Sequence, residues 1–216
     1  MAIYKDRVEA GQKLAQSLER YEDERPIILA MPRGGVVVAF EIAQKLHALL
    51  DVIVVRKLGA PFQPEYAIGA IAPNDVLVLN DEAKFYWQSD ESVLQEIVSK
   101  EKVEMERRIK FYRGNNKALD IAGRVVVIVD DGVATGQSAL AAIKSVRKLK
   151  PAKIIFAVPV GAKDSLAVIK KEVDEVICLA TPTPFSAVGI WYARFDQTED
   201  AEVILLLEKN RQGFRK

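Results

Sequence analysis

Residues 124–160 read RVVVIVDDGVATGQSALAAIKSVRKLKPAKIIFAVPV. The run RVVVIV is too short for a buried helix and is bounded by turn residues, so it predicts a strand. QSALAAIKSVRKLK carries apolar residues at helical spacing, Pro151 breaks it, and KIIFAVPV is again strand-like. Working outward, AKDSLAVIKK predicts a further helix and VDEVICLA a further strand, which makes the segment βαβαβ. Near-continuous Val and Ile runs separated by helices imply a parallel sheet covered on both faces.

The N-terminal half repeats the logic. PIILAM (residues 26–31) predicts a strand, Pro32-Arg33-Gly34-Gly35 a turn, VVVAFEIAQKLHALL a helix and DVIVVRKL a second strand, parallel to the first through a right-handed crossover. YAIGAIA and VLVLN flank Pro73-Asn74-Asp75 and predict a small antiparallel hairpin. Residues 82–113 predict a surface helix with an interrupted stripe of Leu94, Val98, Met105, Ile109 and Tyr112. Tyr4, Val8, Gly11, Leu14, Leu18 and Tyr21 predict an amphipathic helix over residues 4–22. The tail, residues 181–216, holds two prolines, clustered aromatics and a helix near Asp200 to Lys209. The expected fold is one α/β domain over residues 1–216, its core at about 26–180, its parallel sheet covered by helices on both faces.

Composition narrows the function classes. Lys and Arg number 31 against 30 Asp and Glu, a formal charge of +1, which argues against a surface built for nucleic acid. No stretch approaches the ~20 apolar residues of a membrane span, and the N-terminus lacks the apolar core of a signal peptide. The lone Cys178 forms no internal disulfide and reads as a small core hydrophobe. These features lead to the expectation of a cytoplasmic protein. His47 is the single histidine, sits in an apolar helical run and is expected to be structural; zinc spacing is absent.

Chemistry concentrates at the end of the strand first quoted. Ligands of open α/β sheets bind beyond the carboxyl ends of strands, where Asp130 and Asp131 stand. Two adjacent carboxylates repel one another, so hydroxyls, water or a cation must compensate them. The small residues that follow, Gly132-Val133-Ala134-Thr135-Gly136-Gln137-Ser138, lead into a strong helix. Backbone N–H groups of such a turn and the positive end of the helix dipole form an anion pocket suited to a phosphate monoester. Thr135 and Ser138 add hydroxyls, which could equally be helix caps. A Walker loop would need four residues between its glycines and then Lys, whereas three separate Gly132 from Gly136. A nucleophile elbow would need glycine two residues after Ser138, where Leu140 stands. A phosphoacceptor aspartate of the haloacid kind would want an acid at Gly132. Arg33 with Gly34 and Gly35 ends the first parallel strand, where glycines admit close backbone approach and Arg33 supplies charge for phosphate oxygens. Arg56 and Lys57 follow the second strand, as further phosphate ligands or as solvated charge.

Hydrophobic strand, Asp-Asp, three small residues and Thr-Gly-x-Ser together resemble the signature of type I phosphoribosyltransferases, in particular an uncharacterised bacterial and archaeal branch. The resemblance implies that Asp130 and Asp131 hydrogen-bond the ribose hydroxyls of phosphoribosyl pyrophosphate and face Mg²⁺ through water. It places the 5′-phosphate on Val133, Ala134, Thr135, Gly136, Gln137 and Ser138. Arg33, Gly34 and Gly35 become a pyrophosphate loop, where the family often holds a non-proline cis peptide, and Arg56-Lys57 a cationic pair against pyrophosphate. The tail becomes a hood in which Phe185, Trp191 and Tyr192 are stacking groups for a base, or else core or dimer packing. The implied activity is transfer of a 5-phosphoribosyl group to a nitrogenous base. A non-catalytic regulator that binds the same ligand is the alternative, and a homodimer is the expected assembly. The family's flexible loop has no clear counterpart between Lys57 and Arg124; Lys84, Arg107 and Arg108 are candidates there.

Overall fold

The computed structural model describes residues 2–61, 63–80, 83 and 91–214. Its main sheet is parallel, with strands β1 (Ile27–Ala30), β2 (Leu49–Val52), β6 (Val125–Val129), β7 (Lys153–Val160) and β8 (Glu175–Ala180) in the order β2-β1-β6-β7-β8. The continuous apolar runs follow from burial on both faces. Val125, Val127 and Val129 enter a core with α1 (Arg7–Leu18), α2 (Gly34–Lys45) and the C-terminal helix α6 (Asp200–Gly213). Val126 and Ile128 point the other way, into a core with α4 (Gln137–Lys148) and α5 (Lys163–Ile169). This two-residue alternation is the strand period made visible.

A second sheet is antiparallel and has three strands, β3 (Arg56–Ala60), β4 (Gln63–Ala72) and β5 (Val76–Leu79), in sequence order. The expected hairpin is therefore β4–β5 with an added strand. That strand comes from the run DVIVVRKL, which divides: its first two residues end β2, Ile53 and Val54 are buried connectors, and Arg56 opens β3. The long helix α3 (Glu91–Arg113) packs on this sheet. Expected helix over residues 84–90, and Lys84 with it, lies outside the described residues.

One boundary differs informatively. The helix expected through Leu50 stops at Lys45, because His47 adopts a left-handed φ of 45° while the Ala48 N–H returns to the Ala43 carbonyl. Histidine is among the side chains that tolerate this region. His47 is exposed at this turn, not held within an apolar helix face.

Candidate functional site

From β1 the chain leads to β2 on one side, and from β6 to β7 on the other, so the sheet order reverses between β1 and β6. Their register pairs Ala30 with Val129, and the Met31 N–H continues the ladder to the Val129 carbonyl at 2.8 Å. The loop after β1 and the acidic pair after β6 thus meet at the topological switch point, where open α/β sheets hold ligands. Contact there is close. A Cβ on Gly34 would overlap Asp131 Oδ2, and one on Gly35 would lie 3.0 Å from the Asp130 Cα. A side chain at Gly34 would displace the Asp131–Arg7 pair, and one at Gly35 would crowd the backbone of β6. The Pro32–Arg33 peptide between β1 and these glycines is cis.

The acidic pair is electrostatically loaded. Burial, followed by the charge of Asp131, holds the Asp130 carboxyl well above its ordinary value, with Lys57 opposing. Burial also raises Asp131, and Arg7 pulls it back. Arg7 Nε donates to Asp131 Oδ2 at 2.7 Å, and the two side chains are only 12% and 16% exposed. The same guanidinium donates to the Asp196 carbonyl at 2.7 Å and lies 3.7 Å from the Phe195 ring centroid. Sequence reasoning missed Arg7. The sole local signal is Asp6, the N-cap whose side chain accepts the Glu9 N–H at 3.0 Å and so sets Arg7 at the start of α1.

The turn after the acids has engaged backbone groups at its start and free donors on its helix side. Val133 is drawn into the fold, its N–H bonded to the Val160 carbonyl at 3.0 Å and its carbonyl accepting from Ala162 at 2.9 Å. The Val133 N–H is therefore engaged. Ser165 Oγ holds the Ala134 carbonyl. Gly136, with φ of 78°, is the N-cap of α4, and no side chain caps that helix. Capping by Thr135 or Ser138 is thereby excluded. The first bond around the turn runs from the Leu140 N–H to the Gly136 carbonyl at 2.9 Å, which leaves the preceding N–H groups of Gln137, Ser138 and Ala139 as orphan donors. Gln137 Oε1 is buried without a hydrogen-bond partner among the described residues.

Ser138 and Asp130 line a cavity of about 320 Å³ together with Arg56, Lys57, Arg108 and the backbone around Pro32. Arg56 and Lys57 reach it from the first residues of β3, and Arg56 Nε is held by Glu101 of α3 at 2.7 Å. Arg33 is not among the residues lining that cavity, and its guanidinium lies 3.9 Å from Asp200 at the start of α6. Gly34 and Gly35 adjoin the acids as expected, whereas the Arg33 side chain pairs with Asp200.

The aromatic tail is mostly committed to packing. Tyr192 is buried, with ring centroids 5.4 Å from Tyr4 and 5.0 Å from Phe195, and its hydroxyl donates to the Asp131 carbonyl at 2.6 Å. Burial and the nearby Asp131 charge raise its phenol far above the ordinary range. Phe185 and Trp191 pair at 6.0 Å. Among the described residues, no group of three or more His, Cys, Asp or Glu side chains converges to hold a metal. Among them, too, no helix is long and apolar enough to cross a membrane.

A parallel sheet carrying a doubled carboxylate and a helix N-terminus at its switch point defines a class, and the chain belongs to it: the phosphoribosyl transferase domain family matches residues 2–192. Two proteins of Mycobacterium tuberculosis, MT0597 of strain CDC 1551 / Oshkosh and Rv0571c of strain ATCC 25618 / H37Rv, bear phosphoribosyl transferase as a provisional name. Each is 44% identical over 214 residues, which make up 99% of this chain and 48% of theirs. The chain spans about half the length of these curated relatives. The crystal structure of TT1426 from Thermus thermophilus is 39% identical, with 97% of this chain and 99% of that one covered at a TM-score of 0.81. The α/β fold is that of the phosphoribosyltransferases.

Proposed function

We propose that this chain transfers a 5-phosphoribosyl group from phosphoribosyl pyrophosphate to a nitrogenous base and releases pyrophosphate. The observation that carries the reading is the set of groups that line one 320 Å³ cavity: Ser138 from the first turn of α4, whose N–H groups are orphan donors, Asp130 of the acidic pair, and the cations Arg56 and Lys57. A phosphate, a sugar diol and a diphosphate, the three parts of the ligand, call for these three kinds of group. In the reaction the C1–oxygen bond breaks with its electron pair going to pyrophosphate. The base nitrogen supplies the pair for the new C1–nitrogen bond and gives up its proton. Asp130 and Asp131 hold the ribose hydroxyls and face the positive charge that develops at the sugar, while the cations face the leaving diphosphate. No protein nucleophile is needed, and positioning supplies much of the rate.

The donor set fits a Mg²⁺ that arrives on the diphosphate. This ion keeps several waters and takes one or two carboxylates plus substrate phosphates. Asp131 Oδ2 is already engaged by Arg7, so Asp130 is the freer carboxylate, and both would meet the ion through water. Held there by Asp130 and Asp131, Mg²⁺ would supply charge neutralisation to the leaving diphosphate.

Incubation with phosphoribosyl pyrophosphate, Mg²⁺ and a panel of purines, pyrimidines and related bases tests the proposal. Pyrophosphate release that depends on one base supports it. Tight binding without release for any base moves the reading to a non-catalytic regulator, a second reading favoured by the burial of Tyr192 between Tyr4 and Phe195. Asp130→Asn combined with Asp131→Asn is expected to abolish ligand binding while the circular dichroism spectrum is kept; unchanged affinity removes the site assignment.

A further inference from the structure

The helix α3 stands where the family resemblance offered no counterpart, and it contributes one side chain to the cavity of the proposed site. Arg108 reaches that cavity beside Asp130, Ser138 and Lys57. We propose that Arg108 grips the diphosphate end of phosphoribosyl pyrophosphate, exchanging Glu104 for phosphate oxygens when the ligand enters; this rests on the function proposed above.

Three observations support the exchange. Arg108 Nε donates to Glu104 Oε1 at 2.7 Å, and among the described residues no hydrogen bond from its terminal nitrogens is present, so the fork that recognises phosphate is open. Glu104 is also held by Arg107, through Nε at 2.6 Å and Nη2 at 2.9 Å. When Arg108 leaves, Glu104 keeps a bidentate partner, so the exchange leaves no carboxylate unpaired. Finally, α3 is fixed just beyond Arg108. Tyr112, one turn on, is buried and donates to Asp200 at 2.5 Å, and Arg113 Nε meets both oxygens of the buried Asp51 at 3.0 and 3.1 Å. Glu101, two turns before Arg108 along the same helix, holds Arg56 of the same cavity. α3 therefore presents one cation of its own and sets a second, from a rigid element rather than a mobile loop.

Calorimetric titration of the wild type and of Arg108→Met, Arg108→Lys and Glu104→Gln with two ligands tests this: phosphoribosyl pyrophosphate with Mg²⁺, and ribose 5-phosphate, which lacks the diphosphate. Arg108→Met is expected to weaken the first about tenfold or more, the scale of a lost charge-assisted bond, and to leave the second unchanged. Arg108→Lys restores part of the loss. Glu104→Gln leaves the first ligand's affinity equal or tighter, since it removes the competitor for the guanidinium. An equal effect on both ligands, no effect of Arg108→Met, or a Glu104→Gln loss matching that of Arg108→Met overturns the role of Arg108 while the site reading stands. A wild type that binds neither ligand overturns both.

Discussion

At the scale of single residues, the acidic pair sets function against stability. Asp130 has a folded value raised above its ordinary 3.8 by burial and by Asp131. The native state therefore holds its proton more tightly than the unfolded chain does. That advantage is full below 3.8 and is lost as pH rises through the raised folded value, so at higher pH the acid is a net cost to folding. Asp130→Asn is expected to raise the thermal midpoint there, at about 2–4 °C per kcal/mol recovered in a chain of this size. The gain should shrink as pH falls and vanish below 3.8; a gain equal at every pH would show that buried charge is not its cause. Cys178 behaves differently. Burial pushes its thiol up to about 11, so maleimide labelling of the native protein is expected to be slow at neutral pH and to accelerate with alkalinity. Rapid labelling at neutral pH would contradict the packing of β8 around it.

At the scale of elements, α3 is tied to the edge strand β2 by a buried ion pair. Asp51 is 2% exposed and receives the Arg113 guanidinium, the Leu119 N–H at 3.4 Å and the Val52 N–H at 2.8 Å. Removing one partner strands the other, so Asp51→Ala is expected to cost about 3 kcal/mol in urea unfolding, with α3 losing amide protection first. A cost near zero would mean that α3 is held by its apolar face alone. The elements most legible in the sequence are those buried on both sides: β1, β6 and β7 read directly from Ile, Val and Phe runs, because nothing polar interrupts a strand with two covered faces. The division of DVIVVRKL was hidden for the same reason. Ile53 and Val54 are as buried as the strand before them, and no Gly or Pro marks the point where Arg56 changes sheets. Asp130, Asp131 and the small residues after them were legible because their chemistry contradicts a core position. Arg33 and Arg56 were legible as charges, but their bearings, toward Asp200 and Glu101, depend on helices distant in sequence.

At the scale of the whole molecule, Arg7 joins three regions that no local pattern connects: the first turn of α1, the acidic pair after β6, and the tail at Phe195 and Asp196. The Tyr4 and Ala193 backbones reinforce the link, with the Ala193 N–H bonded to the Tyr4 carbonyl at 2.8 Å. The N-terminal helix thus closes the tail over the site's carboxylates, and the guanidinium both neutralises Asp131 and braces Phe195. Arg7→Met keeps the stem and removes the charge, which lets the Asp131 value rise further and leaves a mostly buried carboxylate without its cation. The expected cost is about 2 kcal/mol near neutral pH, at the low side of broken buried pairs because both groups retain some water. Its sign follows from linkage: the Arg7 contribution exists where Asp131 is ionised, so the gap between wild type and variant should narrow as pH falls toward the ordinary carboxylate value of 3.8. Hydrogen exchange localises the effect, with faster exchange expected at residues 191–196 and at the start of α1, and none in β7. A variant with a pH-independent loss and unchanged exchange in the tail would reduce Arg7 to a packing residue and leave the acidic pair to be neutralised by its ligand alone.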